Sequence, residues 1–196
     1  MTSKIKVDTI EEKTAGNGVS IDSVTLKDGG ITYSGGDSVS SLSASVWRLS
    51  ANSTFGSGAT TVFTSNLEAV DTPSGYGALG SAMSESSGVF TFPSTGIYMI
   101  TAVAYVYANS AQSVYNGIQI QTTPNDSSYS MASTGYSYIP NVSDAHGSST
   151  VSTIFDVTST STHKVRFAGQ SGAAVVFGGS STVNYTHFIF QRLGDT

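Results

Sequence analysis

Cysteine is absent from this 196-residue chain, so a disulfide, a thiolate metal site and a thiol nucleophile are all excluded. Charge is scarce as well: 11% of the residues are Asp, Glu, Lys or Arg, under half the roughly 25% of an ordinary globular domain. Basic residues are the scarcer kind, 8 against 13 acidic, and none falls between Arg48 and Lys164. With a net charge of −5 and so broad a gap in positive charge, the chain cannot neutralise a phosphate backbone, and no nucleic-acid partner is expected. No apolar run approaches the roughly eighteen residues of a membrane helix, and Met1-Thr2-Ser3-Lys4-Ile5-Lys6-Val7-Asp8 has no apolar signal core, so neither membrane insertion nor secretion is expected. Strong helix formers are few, with six leucines, and no stretch carries a 3.6-residue apolar stripe.

Ser and Thr fill the space left by charge, at roughly three residues in ten, while hydrophobic residues make up 38%. That composition supports a packed core, not disorder. A compact chain of 20.2 kDa buries roughly 70% of the surface it exposes unfolded. Charge divides the sequence into three parts. Residues 1–32 carry Lys4, Lys6, Lys13 and Lys27, half of all Lys and Arg, and read as an N-terminal arm. Residues 33–45, around Ser34-Gly35-Gly36-Asp37-Ser38, read as a Gly/Ser linker. Residues 46–196 read as a head. In the arm, Val19-Ser20-Ile21 and Val24-Thr25-Leu26 alternate around Asp22-Ser23 and end at Asp28-Gly29-Gly30, the pattern of short strands. So little apolar surface is marginal alone in water. The apolar positions Ile5, Val7, Ile10, Val19, Ile21, Val24 and Leu26 are therefore expected to attach the arm to copies of itself or to a larger assembly.

Period two dominates the head. The run Ile97 to Tyr107 is apolar on both faces and rich in β-branched and aromatic residues, which fits a central strand covered on each side, one side at a subunit interface. Val114 to Gln121, Thr150 to Val157, His163 to Ala168, Ala173 to Phe177 and Val183 to Leu193 read as further strands separated by Ser/Gly/Asn turns. The fold class is all-β, a sandwich, jelly roll or barrel. Phe90, Phe92, Tyr98, Tyr105, Phe188 and Phe190 are the expected core and interface residues of its strands.

Catalytic chemistry finds little to use. His146, His163 and His187 are the only histidines and have no metal-ligand spacing. Asp144-x-His146 sits in a Ser/Gly-rich turn, where Asp is turn chemistry more often than half of a metal or base site. Serine abounds, but no Gly-x-Ser-x-Gly elbow occurs. The carboxylates Glu68, Asp71, Glu85, Asp126, Asp144 and Asp156 are not paired in sequence beside an aromatic cleft, as glycoside cleavage would ask. No catalytic residue, cofactor or metal ligand is assigned. Tyr76, Tyr129, Tyr136 and Tyr138, spread through Ser/Thr/Gly-rich sequence, either close the ends of the sandwich or offer flat, hydroxyl-tipped contacts to a sugar or protein ligand. Asn-x-Ser/Thr sequons at Asn52, Asn125, Asn141 and Asn184 are what chance gives in such a composition.

Several segments resemble two known groups of proteins. Phe90-Thr91-Phe92-Pro93-Ser94-Thr95-Gly96-Ile97-Tyr98 resembles the strand pair, F-x-x-P-x-x-G-x-Y, of the globular heads of complement component one-q and tumour necrosis factor, and Tyr185 to Leu193 is similar to their aromatic last strand. Asp8-Thr9-Ile10-Glu11-Glu12-Lys13-Thr14, Gly18-Val19, Leu26-Lys27-Asp28-Gly29 and Trp47-Arg48-Leu49 resemble virion proteins of marine bacteriophages, cyanobacterial ones especially, in which such an arm precedes such a head. The resemblance implies a ten-stranded jelly roll, a homotrimer, and a virion location with capsid, portal or tail proteins as partners of the arm. It also implies loops that contact host surface glycan or protein. A tail fibre or knob, a capsid decoration or head fibre, and a glycan-processing enzyme are the three functions to separate.

Overall fold

The computed structural model describes residues 19–21, 24–27, 30–33 and 42–196, except 74–75, 110–111, 141 and 143. It divides into two compact units, Met1–Ser41 and Leu42–Gly194. The divide falls within the expected linker, whose last residues belong to the head: the first head strand begins at Ala44.

In the first unit, β1 (Val19–Ile21), β2 (Val24–Lys27) and β3 (Gly30–Tyr33) form an antiparallel sheet in that order. Register pairs Val19 with Leu26 and Leu26 with Ile31, and Ile21 with Val24 and Val24 with Tyr33. The same register pairs Ser20 with Thr25 and Thr25 with Thr32. The pairing of β1 with β2 follows the sequence pattern. The third strand does not, since the pattern of short strands was expected to close by Gly30, where β3 begins. Ile5, Val7 and Ile10 lie outside the described residues.

In the second unit thirteen strands, β4 to β16, are described where ten were expected. Five are long: β10 (Gly96–Ala108), β11 (Ser113–Thr123), β12 (Ser130–Ile139), β13 (His146–Val157) and β14 (Lys164–Ser171). β4 (Ala44–Leu49) and β16 (His187–Gly194) are intermediate. The surplus comes from three-residue segments: β5 (Ser53–Phe55), β6 (Thr60–Val62), β7 (Leu67–Ala69), β8 (Ser84–Ser86), β9 (Val89–Thr91) and β15 (Val175–Phe177). Such short pieces are too brief to show a period in sequence.

Seven strands form one sheet, β5-β15-β10-β16-β4-β7 with β13 on the other side of β10. Six form the second, β12-β11-β14-β9-β8 with β6 also pairing β14. The chain passes between the sheets from β9 to β10, β10 to β11, β12 to β13, β13 to β14 and β14 to β15, and that crossing makes it a jelly roll, not a meander. No helix occurs among the described residues, so none there is long and apolar enough to cross a membrane.

The core lies between the sheets. Even positions of β10, from Tyr98 through Ile100, Ala102 and Ala104 to Val106, are buried in it. Ile118 and Ile120 of β11, Val165 and Phe167 of β14, and Phe188 and Phe190 of β16 meet them. Phe90 is surrounded by Trp47, Phe167, Phe188 and Phe190, with ring centroids 5.2 to 6.2 Å away. Burying one such ring is worth about 1.5–3 kcal/mol.

The Phe90–Tyr98 motif has a local physical basis. Phe92 packs on Tyr98 at 4.7 Å, and the Tyr98 hydroxyl donates to the Ser94 carbonyl at 3.0 Å, pinning the turn. Gly96 has φ +143°, and a Cβ there would sit 2.4 Å from Arg192 Nε. Arg192 Nε donates to the Thr95 carbonyl at 2.9 Å. Only glycine admits the last strand so close to this turn.

Arg48 explains much of the Trp47-Arg48-Leu49 segment. It is fully buried, 0% exposed. Its Nε donates to Glu68 Oε1 at 2.7 Å, and its terminal nitrogens donate to the Thr72 carbonyl and hydroxyl, each at 2.9 Å, and to the Ser181 carbonyl. One guanidinium thereby joins β4, β7 and the 181–184 segment at the rim of the larger sheet.

Candidate binding and assembly surfaces

The residues expected to form an interface divide. Phe90, Phe92, Tyr98, Phe188 and Phe190 are core, 0 to 2% exposed, and are not available to any partner. Tyr105 alone of that group lies on the outward row of β10.

That outward row runs Ile97, Met99, Thr101, Val103, Tyr105 and Tyr107, each half-buried. Register places Ile154 of β13 beside Met99, and Ile189 of β16 beside Thr101 on one side and Val46 of β4 on the other. Ile154 is 65% exposed. The outer face of the larger sheet thus carries aliphatic side chains interrupted by the hydrogen-bonded pair Thr101–Ser152, 2.9 Å apart, where the sequence expected a cover on both sides and one chain supplies only one.

An aromatic cluster closes one end of this face. Tyr105 stacks on Tyr185 at 5.0 Å and on His146 at 5.1 Å, with its hydroxyl 2.9 Å from His146 Nδ1. Tyr107 accepts a hydrogen bond from Asn52 Nδ2 at 2.8 Å. His146 is therefore a partner of Tyr105. Asp144, at φ +59°, is a turn residue, as the Ser/Gly-rich surroundings suggested.

On the smaller sheet the outer face differs. Odd positions of β11 bring Tyr115, Gly117, Gln119 and Gln121 outward, and register sets Gln170 and Arg166 of β14 beside Gly117 and Gln121. Tyr136 of β12 stands opposite Gly117, and a Cβ at 117 would lie 2.4 Å from its ring carbons, so the ring needs glycine beneath it. Hydrogen bonds run across the face: Arg166 Nε to Gln121 Oε1 at 2.7 Å, Gln121 Nε2 to Gln119 Oε1 at 3.1 Å, and Gln119 Nε2 to Gln170 Oε1 at 3.2 Å. The Tyr136 hydroxyl donates to the same Gln170 oxygen at 2.8 Å. Arg166 lies over the Tyr129 ring at 4.0 Å. Burial first, and the nearby Asp126 carboxylate second, raise the Tyr129 hydroxyl above the usual tyrosine range, so it stays a neutral donor.

Of the four tyrosines expected to contact ligand, two meet on this face, at opposite ends of the ladder. Tyr136 and Tyr138 are on a strand, not in loops as expected: the Ser/Thr/Gly-rich stretch 130–139 is β12, which pairs along β11. Tyr138 is 55% exposed and takes no part in the ladder. Tyr76 is far along the chain in the turn after Pro73, whose carbonyl accepts from its N–H at 3.3 Å. Tyr115, Gln119, Gln121, Arg166 and Gln170 had not been singled out. The available signal was the odd-position row Tyr115-x-Gly117-x-Gln119-x-Gln121 against an apolar even row, Ile118 and Ile120.

Tyr115 and Tyr136 meet edge to face at 5.9 Å and 87°, and with Gln170 they line a cavity of about 250 Å³. Another of about 320 Å³ lies between residues 52–55 and 61–66, with no titratable side chain in its lining. Among the described residues no three His, Asp or Glu are grouped to hold a metal ion. Glu85 instead accepts from the Gly88 N–H at 2.5 Å across the β8–β9 turn. Asn125 Oδ1 accepts from the Ser127 and Ser128 N–H groups at 3.1 and 2.9 Å, an Asx turn.

No protein-family model matches the sequence, and no curated protein does. Solved structures match the fold. A crystal structure of murine APRIL at pH 5.0 is 12% identical, with a TM-score of 0.55, covering 78% of this chain and 100% of that one. The Eiger TNF structure from S. frugiperda is 10% identical, with a TM-score of 0.57, covering 78% of this chain and 93% of that one. At such identities the likeness is one of fold, and the head is a tumour-necrosis-factor-like jelly roll.

Proposed function

We propose that this protein is a non-enzymatic virion structural protein, a homotrimeric fibre or knob whose arm docks on the particle and whose heads touch the host surface. The observation that carries the assembly is the outer face of the larger sheet. Met99, Val103, Ile154, Ile189 and Val46 give it a largely aliphatic patch around the uncharged pair Thr101–Ser152, with Asp156 at its edge opposite Ile97. Patches of this kind mark interfaces, and a closed ring of like subunits covers one on every copy. Three as the copy number, and a virion as the location, rest on the resemblance of the Phe90–Tyr98 motif and of the arm segment. The register of β1, β2 and β3, which pairs apolar with apolar residues, supports the arm as an attachment element. Joining three weakly binding heads multiplies their hold on a surface without new contacts.

Sedimentation of the full chain tests the assembly. The expected mass is three times the 20.2 kDa of one subunit, falling to one subunit in Ile154→Asp. A dispersed single subunit in the unaltered protein would overturn the trimer. Antibody raised against the head should decorate projections on particles, and an unlabelled particle surface would overturn the location.

A further inference from the structure

The ladder on the smaller sheet has a direction, and its direction leaves the amide of Gln170 free. A guanidinium has donors only. Arg166 therefore fixes Gln121 Oε1 as an acceptor, which turns Gln121 Nε2 toward Gln119 Oε1, and so in turn Gln119 Nε2 toward Gln170 Oε1. The Tyr136 hydroxyl reaches that same oxygen. Both lone pairs of Gln170 Oε1 are thus occupied, and its Nε2 amide, with two N–H donors, has no protein partner among the described residues. Gln170 lines the cavity of about 250 Å³ together with Tyr115 and Tyr136. Tyr136 is 49% exposed, so solvent reaches the cavity wall.

We infer that this corner binds a neutral sugar ring, with one C–H face against a tyrosine and hydroxyl oxygens accepting from Gln170 Nε2. A sugar ring offers an apolar face and a rim of acceptors. A tyrosine and a free primary amide are the complementary pair, one flat and apolar, the other an in-plane double donor. The volume lies just below the roughly 300–1,000 Å³ of drug-sized sites, which suits one ring, not a long chain. Anionic ligands are disfavoured: the chain carries −5, and the ladder's cation is engaged with Gln121 and Tyr129 at its far end. A stacked nucleobase would bring a phosphate with nothing to neutralise it. The inference deepens the function proposed above and rests on it for the glycan's source, the host surface.

Saturation-transfer NMR on the intact full chain, with glucose, galactose, mannose and N-acetylglucosamine as probes, tests it. Transfer to the ring C–H protons of at least one of these sugars is expected. Gln170→Glu replaces the free donor with an acceptor while still receiving Gln119 and Tyr136, and should weaken binding at least about tenfold. Tyr136→Ala should abolish it. Ile154→Asp, on the other sheet, should keep the same affinity per subunit while losing the trimer. A signal surviving in that variant, with no trimer found in the unaltered protein, would sink the assembly and leave the sugar site standing. The sugar site is overturned by no transfer to any of the four sugars, by unchanged binding in both Gln170→Glu and Tyr136→Ala, or by a response only to a sulfated polysaccharide or a host protein.

Discussion

β10 and β11 are consecutive long strands, one in each sheet, with nearly the same inward row: Ile100, Ala102 and Ala104 on one, Ile118 and Ile120 on the other. Their outward rows are opposites. Ile97, Met99, Thr101 and Val103 have little to offer one another beyond contact area. Tyr115, Gly117, Gln119 and Gln121 belong to a side-chain hydrogen-bond network with β14 and β12. An aliphatic row gains only by meeting another surface. A hydrogen-bonded polar row gains little from bulk contact, and what it can still bind is set by the donors left over, the Gln170 amide among them. The same strand period therefore yields a face for self-association on one sheet and a face for selective recognition on the other.

Variants can break or sharpen this contrast. The largest effect on stability is expected from Phe90→Ala, which removes support from both sheets at once and should cost about 3–5 kcal/mol in a denaturant titration. A cost confined below about 1 kcal/mol would mean that the two faces do not share a core. Next is Glu68→Ala, which leaves buried Arg48 with the more exposed Asp71 as its remaining acidic partner. Since Glu68 is itself one-third exposed, about 2 kcal/mol is expected, below the cost of breaking a fully buried pair. Gly117→Ala should cost about 1–3 kcal/mol by driving the Tyr136 ring off the sheet, and the sugar response should vanish with it while the trimer remains. Ile154→Asp should change the stability of the subunit itself by under about 0.5 kcal/mol. It should instead remove the dependence of melting temperature on protein concentration.

The smallest effect concerns pH. Tyr129 is raised above its unfolded value of 10.0 in the head, so the neutral phenol is the form the fold prefers. Its contribution is fully present below the unfolded value and is lost as pH rises through the folded one. Tyr129→Phe should flatten the alkaline limb of a stability–pH curve and leave the curve unchanged at neutral pH.

The jelly roll was legible because long strands announce themselves. Ile97 to Tyr107 is apolar on both faces, and its β-branched and aromatic side chains set a central strand ahead of a buried helix. The Phe90–Tyr98 motif was legible because three constraints meet in it: ring packing, a hydroxyl anchored on Ser94, and a backbone angle at Gly96 that other residues resist. β12 was hidden for the converse reason, since its Ser, Thr and Gly are turn formers and only its neighbour β11 gives them a ladder to join. The glutamine ladder was hidden because side-chain hydrogen bonds between Gln119 and Gln170 depend on register across a sheet, which a linear pattern does not carry. Six of the thirteen head strands are three residues long, and segments that short are defined by their partners, not by their own composition.

Trp47, edge-on to Phe90 at 5.4 Å, is the only tryptophan of the chain. Its indole is therefore a native fluorophore at a single known address beside the aromatic core. A thiol introduced at any one surface position would likewise be unique, so a dye placed there could accept energy from that indole and report distances within the head without removing any natural residue.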